Sequence, residues 1–390
     1  MNIVEKIKER LRGDYVIWTI VFALSCLSIL VVYSAVSARA FRQTGGNTEY
    51  YLFRHVFFLV ISLLAMWMTH LVDYKYFSKL SHLLLWVSAA LLIFTVFFGE
   101  TTNQATRRLV VPFIGITFQP SDLAKLALIS GLARMLSKRQ KNIEDFKEAV
   151  LPMLLWCGVI CGLIALSDFS TAGLLFLGCM VVMFMGRVSL KHILSLVGFI
   201  IIALALALSY GTRKETAQRR IHDWWAVMTD DVGATEVPYQ VEHANMAIAT
   251  GGIFGKGYGN SQERYFLPEA YADYIYAIII EEGGLLIGTL VLLLYLGLFY
   301  RGMRVMARSK DPYGGLLAAG LSFMLVIQAL VHMAVVVGVG PVTGLPLPFL
   351  SMGGTSLLFS GVSIGVVLSV SRVNYEKEQS LNVDNLSSEE

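Results

Sequence analysis

Ten runs of mostly apolar side chains, separated by shorter polar segments, set the pattern of this chain. They fall at 16–36, 55–73, 80–98, 121–136, 149–166, 171–187, 190–210, 274–300, 314–337 and 352–372. Most reach the ~17–25 residues that an α-helix needs to cross the hydrocarbon of a bilayer. The fourth carries Asp122, Lys125 and Arg134, whereas the seventh has no charged residue between Ile193 and Leu208. The pattern predicts an all-α polytopic membrane protein of about ten helices. An even number of crossings puts both termini on one side.

Two stretches break the rhythm. The segment 211–273, between the seventh and eighth runs, is roughly 60 residues long where connections usually take a few, and long loops tend to be functional. The segment 338–356, GVGPVTGLPLPFLSMGGTS, is too rich in proline and glycine for an ordinary helix. Irregular backbone near a membrane is tolerated where protein buries it or where it lines a wet cavity. Both stretches fall on the same side, which predicts one cavity opening there. No 20–50-residue repeat is visible. The expected division is a short N-terminal segment 1–15, one membrane domain 16–373 containing the loop 211–273, and a disordered tail 374–390.

The basic residues set the orientation. Lys6, Lys8, Arg10 and Arg12 precede the first run. Lys138, Arg139, Lys141 and Lys147 follow the fourth, and Arg301, Arg304, Arg308 and Lys310 follow the eighth. Cytoplasmic loops carry such an excess, so both termini are expected in the cytoplasm and the long loop outside. The basic N-terminus lacks a small-residue cleavage site and reads as a retained first helix, not a removed signal.

Composition agrees with a membrane location. Of 390 residues 56% are hydrophobic and only 15% charged, against about a quarter charged in soluble domains. A net charge of +3, with no basic tract interleaved with aromatics, argues against a nucleic-acid partner. Cys26, Cys157, Cys161 and Cys179 all lie inside apolar runs. They read as packing residues, without a disulfide framework or metal site.

Candidate chemistry concentrates in 239–282, YQVEHANMAIATGGIFGKGYGNSQERYFLPEAYADYIYAIIIEE. Its glycines do not make a nucleotide loop, because Lys256 is followed by Gly257 instead of Ser or Thr. They permit tight turns and close approach of backbone N–H groups to an anionic ligand. Asp273, at the outer mouth of the eighth run, is placed either to act as a general base or to cap the helix. Tyr271, Tyr274 and Tyr276 around it suit a sugar or the membrane interface equally. Glu281 and Glu282 lie ~12–14 Å further along, expected near mid-bilayer. Lys125 is their expected partner, and Asp122 competes for it. A buried structural network is the favoured reading there.

Asp168, Ser170 and Thr171 occupy a short outer turn, either as a helix start capped by Ser170 or as cavity wall. Arg107, Arg108, Arg219 and Arg220 face outwards and suit a diphosphate or lipid headgroups. His243 and His332 have no His or Cys at ligand spacing, so structural roles lead. No Gly-x-Ser-x-Gly elbow, zinc motif or Walker motif occurs.

Five separated segments, RRLVVPFIGITFQPSDLAKLALI at 107–129, SDFSTAGLL at 167–175, Gln240 ahead of GGIFGKGYGNS at 251–261, LPEAYADYIYAIIIEEGG at 267–284, and GPVTGLPLPFLSMGGTSLL at 340–358, resemble the SEDS family (shape, elongation, division and sporulation), the FtsW and RodA group. The resemblance runs from about Gly13 to Tyr375. It implies a ten-helix peptidoglycan glycosyltransferase that polymerises lipid II into β-1,4 glycan strands outside the cytoplasmic membrane. By the same resemblance Asp273 is the catalytic residue. The implied substrate-cavity residues are Arg107, Arg108, Asp168, Ser170 and Thr171, and Gln240, Lys125, Glu282 and Ser351 are further candidate substrate-binding residues. Asp122 stands where the family usually has Glu and is not counted as catalytic. The segment Val-Glu-His-Ala at 241–244 also departs from the commoner form and leaves the roles of His243 and Ala244 open. A divalent cation (Mg or Mn) is a candidate cofactor. The implied partners are a class B penicillin-binding protein transpeptidase and other division-complex membrane proteins, with lipid II and the growing strand as substrates. The brief N-terminus and compact length favour septal synthesis. An elongation polymerase of the RodA type, as the wording Thr-Gly-Leu-Pro-Leu-Pro prompts, or a lipid II flippase, as the intramembrane charges prompt, are the alternatives.

Overall fold

The computed structural model describes residues 13–43, 47–102, 105–110, 117–143, 145–196, 198, 224 and 239–388. Within them the chain is a mainly helical, polytopic membrane protein. The first three helices are α1 (Tyr15–Gln43), α2 (Thr48–Leu71) and α3 (Tyr74–Phe98). After a small sheet come α4 (Pro120–Lys138), α5 (Leu151–Ala165, entered through a wide turn at Phe146–Val150) and α6 (Phe169–Met185). The last four are α7 (Tyr239–Gly251), α8 (Ile275–Arg308), α9 (Pro312–Val336) and α10 (Gly354–Ser388).

Seven of these helices are long and apolar enough to cross a membrane: α1, α2, α3, α5 with its entry turn, α8, α9 and α10. Nine of the ten expected spans are therefore helices, α4 being too charged and α6, at 17 residues, too short to count among the seven. The seventh expected span, 190–210, begins as a helix over 190–196, and most of the rest lies outside the described residues, as does 211–238 apart from Trp224.

Two expectations are corrected. The segment 100–118 is not merely a loop: strands β1 (Glu100–Thr102), β2 (Ala105–Val110) and β3 (Thr117–Phe118) form an antiparallel sheet in that order, so the fold is not purely α. Thr101 pairs with Thr106, and Leu109 with Phe118. Threonines and β-branched residues suit such a ribbon. The tail is not irregular either, since α10 continues to Ser388. A helix already nucleated in the membrane extends at little further cost. The described part of the long loop packs against the membrane domain, with α7 lying along α8.

Helix contacts rely on small residues, as is usual where lipid offers no hydrophobic drive between helices. Gly361 and Gly365 of α10 press against α2, where an added Cβ would lie 2.3 Å from the Ser62 carbonyl oxygen and 2.5 Å from that of Met66. Ser62 in turn donates to the Leu357 carbonyl across the same contact at 2.6 Å. At one end of the bundle Asp14 pairs with Arg301 of α8, and Arg372 of α10 donates to the Leu71 carbonyl of α2. Asp273, Asp168 and the irregular segment 337–353 gather at the opposite end.

Candidate active site

A cavity of about 390 Å³ opens at the Asp273 end, walled by α1, α2, α4, α6, the turn before α8 and the irregular segment before α10. The proline- and glycine-rich segment shapes its wall, as expected, through Gly344, Leu345, Pro346 and Met352 to Gly354.

Asp273 is half-buried in this wall. It does not cap α8: the cap position is Tyr274, and no side chain caps that terminus. The helix-cap alternative falls, and the carboxylate is turned to the cavity. Gly344 faces it at φ +65°, and a Cβ there would stand 3.6 Å from Asp273 Oδ2. The left-handed backbone suits glycine and brings the loop up to the carboxylate.

The backbone around Asp273 is fixed from the other side. Ser351 Oγ donates to the Ala272 carbonyl at 2.7 Å and accepts from Leu347 N–H at 2.8 Å. The Met352 N–H donates to the Tyr271 carbonyl at 2.9 Å. Ser351 is buried and its hydroxyl is spent on backbone, so it braces the aspartate and does not line the cavity. Gln328 and His332 of α9 hold the same loop, Gln328 by donating to the Pro346 carbonyl at 2.8 Å and His332 through Nδ1 to the Leu345 carbonyl at 2.7 Å.

Lys125 lines the cavity, but its partners are not Glu281 and Glu282. It pairs with Asp122 at 2.8 Å, one turn away on α4, and donates to Gln328 Oε1 at 3.2 Å. The shorter Asp122 reaches Lys125 with one oxygen and leaves Oδ2 buried without a partner. Asp168 and Thr171 also line the cavity. Asp168, not Ser170, is the cap of α6: its oxygens accept from Thr171 N–H at 3.1 Å and Thr171 Oγ1 at 2.8 Å. Both readings of that turn therefore hold together, for Asp168 and Thr171. Ser170 is not among the lining residues.

Four further expected residues lie elsewhere. Gln240, on α7, accepts from the Tyr274 hydroxyl at 3.3 Å beside the head of α8. Glu282 belongs to a buried latch with Glu281. Arg107 and Arg108 sit on β2, where Arg108 pairs with Glu100. Their side chains, like all of Arg219 and Arg220, are outside the described residues.

Sequence reasoning missed Arg39, Arg54 and Glu269 in the cavity wall. Arg39 lies against Tyr51 and Tyr271, its charge 5.4 and 5.0 Å from the two ring centres, and donates to the Tyr271 hydroxyl. Their signal was basic charge at the outward ends of the first two spans, where the positive-inside pattern does not call for it.

The latch sits where α8 breaks. Gly284, at φ +74° and ψ 178°, interrupts the helix. The turn after α7 completes the broken ladder: Lys256 and Gly257 N–H groups donate to the Glu281 and Glu282 carbonyls, both at 2.9 Å. The carbonyls of Gly252 and Ile253 accept from Leu285 and Leu286 N–H at 2.9 and 3.3 Å. Glu281 pairs with Lys256 at 2.7 Å and accepts from Ser261 and Gln262. Glu282 accepts from Ser34 of α1 and from Gly259 and Ser261 N–H, with Arg264 at 3.8 Å. Burial and the Glu282 carboxylate push the nearby Tyr258 phenol above its usual range. His243 bonds Glu263 at 2.6 Å and stacks on Phe266, the structural role expected of it. The two acids are also higher than mid-bilayer: Arg301 lies about 30 Å below Glu281 along α8, close to a full hydrocarbon thickness.

Among the described residues no three His, Cys, Asp or Glu side chains converge as a metal cradle.

Comparison with known proteins points one way. Residues 14–376 match the cell cycle protein family that takes in FtsW, RodA and SpoVE. The chain is 32% identical to stage V sporulation protein E of Bacillus subtilis, over 93% of this chain and 98% of that protein. It is 33% identical to a probable peptidoglycan glycosyltransferase FtsW of Geobacter sp. strain M18, with the same coverage. The fold superimposes on Thermus thermophilus RodA with a TM-score of 0.68 at 25% identity, covering 93% of this chain and 98% of that one. For a chain of a peptidoglycan synthase complex, studied for its coordination of polymerization and crosslinking, the TM-score is 0.73 at the same identity and coverage. The chain belongs to the FtsW/RodA/SpoVE family of cell cycle proteins.

Proposed function

We propose that this chain is a peptidoglycan glycosyltransferase that polymerises lipid II on the outer face of the cytoplasmic membrane. The observation that carries the reading is Asp273, which is braced through its backbone neighbours and stands in the wall of a cavity that Arg39 and Arg54 also line. It acts as general base on the C4 hydroxyl of the acceptor sugar. As that oxygen attacks the anomeric carbon of the lipid-linked donor, the bond to undecaprenyl diphosphate breaks and the configuration inverts, giving a β-1,4 linkage. Guanidinium groups bind phosphate oxygens in pairs and stabilise the charge that develops on the leaving diphosphate. Arg39 and Arg54 serve in this, with Arg107 and Arg108 of the adjoining sheet, and Lys125, held by Asp122, adds positive charge to the cavity floor.

The finer topology belongs to the same reading: ten crossings, both termini cytoplasmic and the Asp273 end outside. So do septal use and a class B penicillin-binding protein as partner, supported by the FtsW relatives and by the synthase complex whose chain shares this fold. Transport loses its main support, because Glu281 and Glu282 are closed off in the latch.

The test is polymerisation of purified lipid II by wild type and Asp273→Asn, each with and without the partner. Glycan strands from wild type alone or with partner, and none from the variant, are expected. An Asp273→Asn protein that folds and still polymerises overturns the assignment.

A further inference from the structure

The turn that follows α7 carries two large apolar side chains that the described residues leave exposed. Ile253 is 61% exposed and Phe254 81%. On a loop standing in water such a pair would be an unexplained cost. Their level along the bundle explains them. Helix α7 runs alongside α8 in the same direction: Gln240 meets Tyr274 at the top, and Gly251 presses against Ile280, where a Cβ would lie 2.2 Å from the carbonyl oxygen. The chain therefore descends with α8, turns at 252–257, and climbs back to Asp273. The backbone bonds of Gly252 and Ile253 to Leu285 and Leu286 fix the bottom of this hairpin.

That level is inside the bilayer. From Leu285 to Tyr300 helix α8 has no charged residue, and its first charge after that is Arg301. The run of 16 residues rises about 24 Å, against a hydrocarbon thickness of about 30 Å. The hairpin tip thus lies roughly 6 Å inside the boundary on the Asp273 side. Exposure changes at the same level: the described residues of α8 from Ile275 to Gly284 are all buried, whereas Leu285, Leu286, Leu290 and Leu293 are about half exposed. The exposed face of α7 changes in step, from Tyr239, Glu242 and Asn245 at the top to Met246, Ala249 and Thr250 at the bottom, where the Thr250 hydroxyl donates to the helix's own Met246 carbonyl. Tyr258, half exposed on the climbing strand, marks the interfacial zone where such rings settle.

We propose that Ile253 and Phe254 form a lipid anchor, a wedge that seats the hairpin between acyl chains of the outer leaflet. The occupant of this surface is lipid because the tip continues the lipid-facing stripe of α8 without a polar break. The anchor fixes the depth of the hairpin, and through Gln240 and the latch the hairpin adjoins the head of α8.

The test uses the full chain in phosphatidylglycerol–phosphatidylcholine vesicles. With Cys26→Ser removing the one exposed thiol, Phe254→Cys and Asn260→Cys are each given a nitroxide label. Collision with oxygen, which partitions into lipid, is compared with collision with a water-soluble nickel chelate. The expected result is several-fold preference for oxygen at 254 and the reverse at 260. Preference for nickel at 254 overturns the proposal. So does protection from both reagents, which would mean that a protein partner or a second copy covers the tip. A label-free check is Phe254→Trp with lipids brominated near the headgroup. The added emission is expected to be quenched, and unchanged emission again overturns the anchor.

Discussion

Asp273 and the Glu281–Glu282 pair sit fewer than ten residues apart at the head of the same helix, yet they have opposite surroundings. The pair is fully buried, and each acid has short contacts from a loop that the chain supplies for the purpose. Asp273 is half-buried, caps nothing, and faces a cavity with its backbone neighbours tied down. Charge inside a membrane protein is therefore not one signal. An acid enclosed and bonded by a loop of its own chain, as Glu281 is through both oxygens and Glu282 through Oε1, is architecture, and an acid held in a cavity wall is placed for chemistry.

Substitution should separate the two regions cleanly. Asp273→Asn is expected to lower lipid II polymerisation by about a hundredfold or more, as for loss of a general base, with the thermal midpoint unchanged. A drop in midpoint matching the drop in rate would erase the distinction. Glu282→Ala should do the reverse and destabilise the fold by about 3–5 kcal/mol, because it strands the buried Arg264 charge; detergent-solubilised protein followed by thermal unfolding will read this. Gly284→Ala comes next. Its positive φ and a Cβ 2.2 Å from the Ile253 carbonyl oxygen should cost about 2 kcal/mol, seen as increased proteolysis near 252–257. Ser351→Ala is expected to cost about 1 kcal/mol and to lower kcat several-fold with KM held, because Ser351 braces the base without touching substrate. The smallest effect belongs to Asp122→Glu, which is expected to change both stability and rate less than twofold, since Lys125 keeps a carboxylate partner.

How much of this was written in the sequence differs by element. The spans were legible because an apolar run of sufficient length has few other uses. Asp273 was legible as one of two things, and only the position of Tyr274 as cap decided between them. The hairpin was not legible. Its backbone partners lie some 30 residues later in the chain, and its tip has the glycine content of a surface loop. The partner of Glu281 was misassigned to Lys125 because one-dimensional reasoning pairs a buried acid with a buried base, whereas Lys256 reaches in from the hairpin. The bracing role of Ser351 was not legible, since residue type says nothing about which way a hydroxyl turns, and here it turns to the Ala272 carbonyl and the Leu347 N–H. Arg39 and Arg54 were not legible as cavity residues because they lie outside the segments that carry the resemblance, and only the fold brings α1 and α2 up to Asp273.

The break in α8 has a consequence for how the protein is made. A membrane helix interrupted at Gly284 enters the bilayer with orphaned amide and carbonyl groups, which hydrocarbon does not tolerate. The groups that satisfy them, from Gly252 to Gly257, precede α8 in the chain. During synthesis from the N-terminus the hairpin has already emerged when the interrupted helix leaves the ribosome. The defect can be closed as soon as it arises. Reversing the order of the two segments would leave the nascent helix waiting with its gap open.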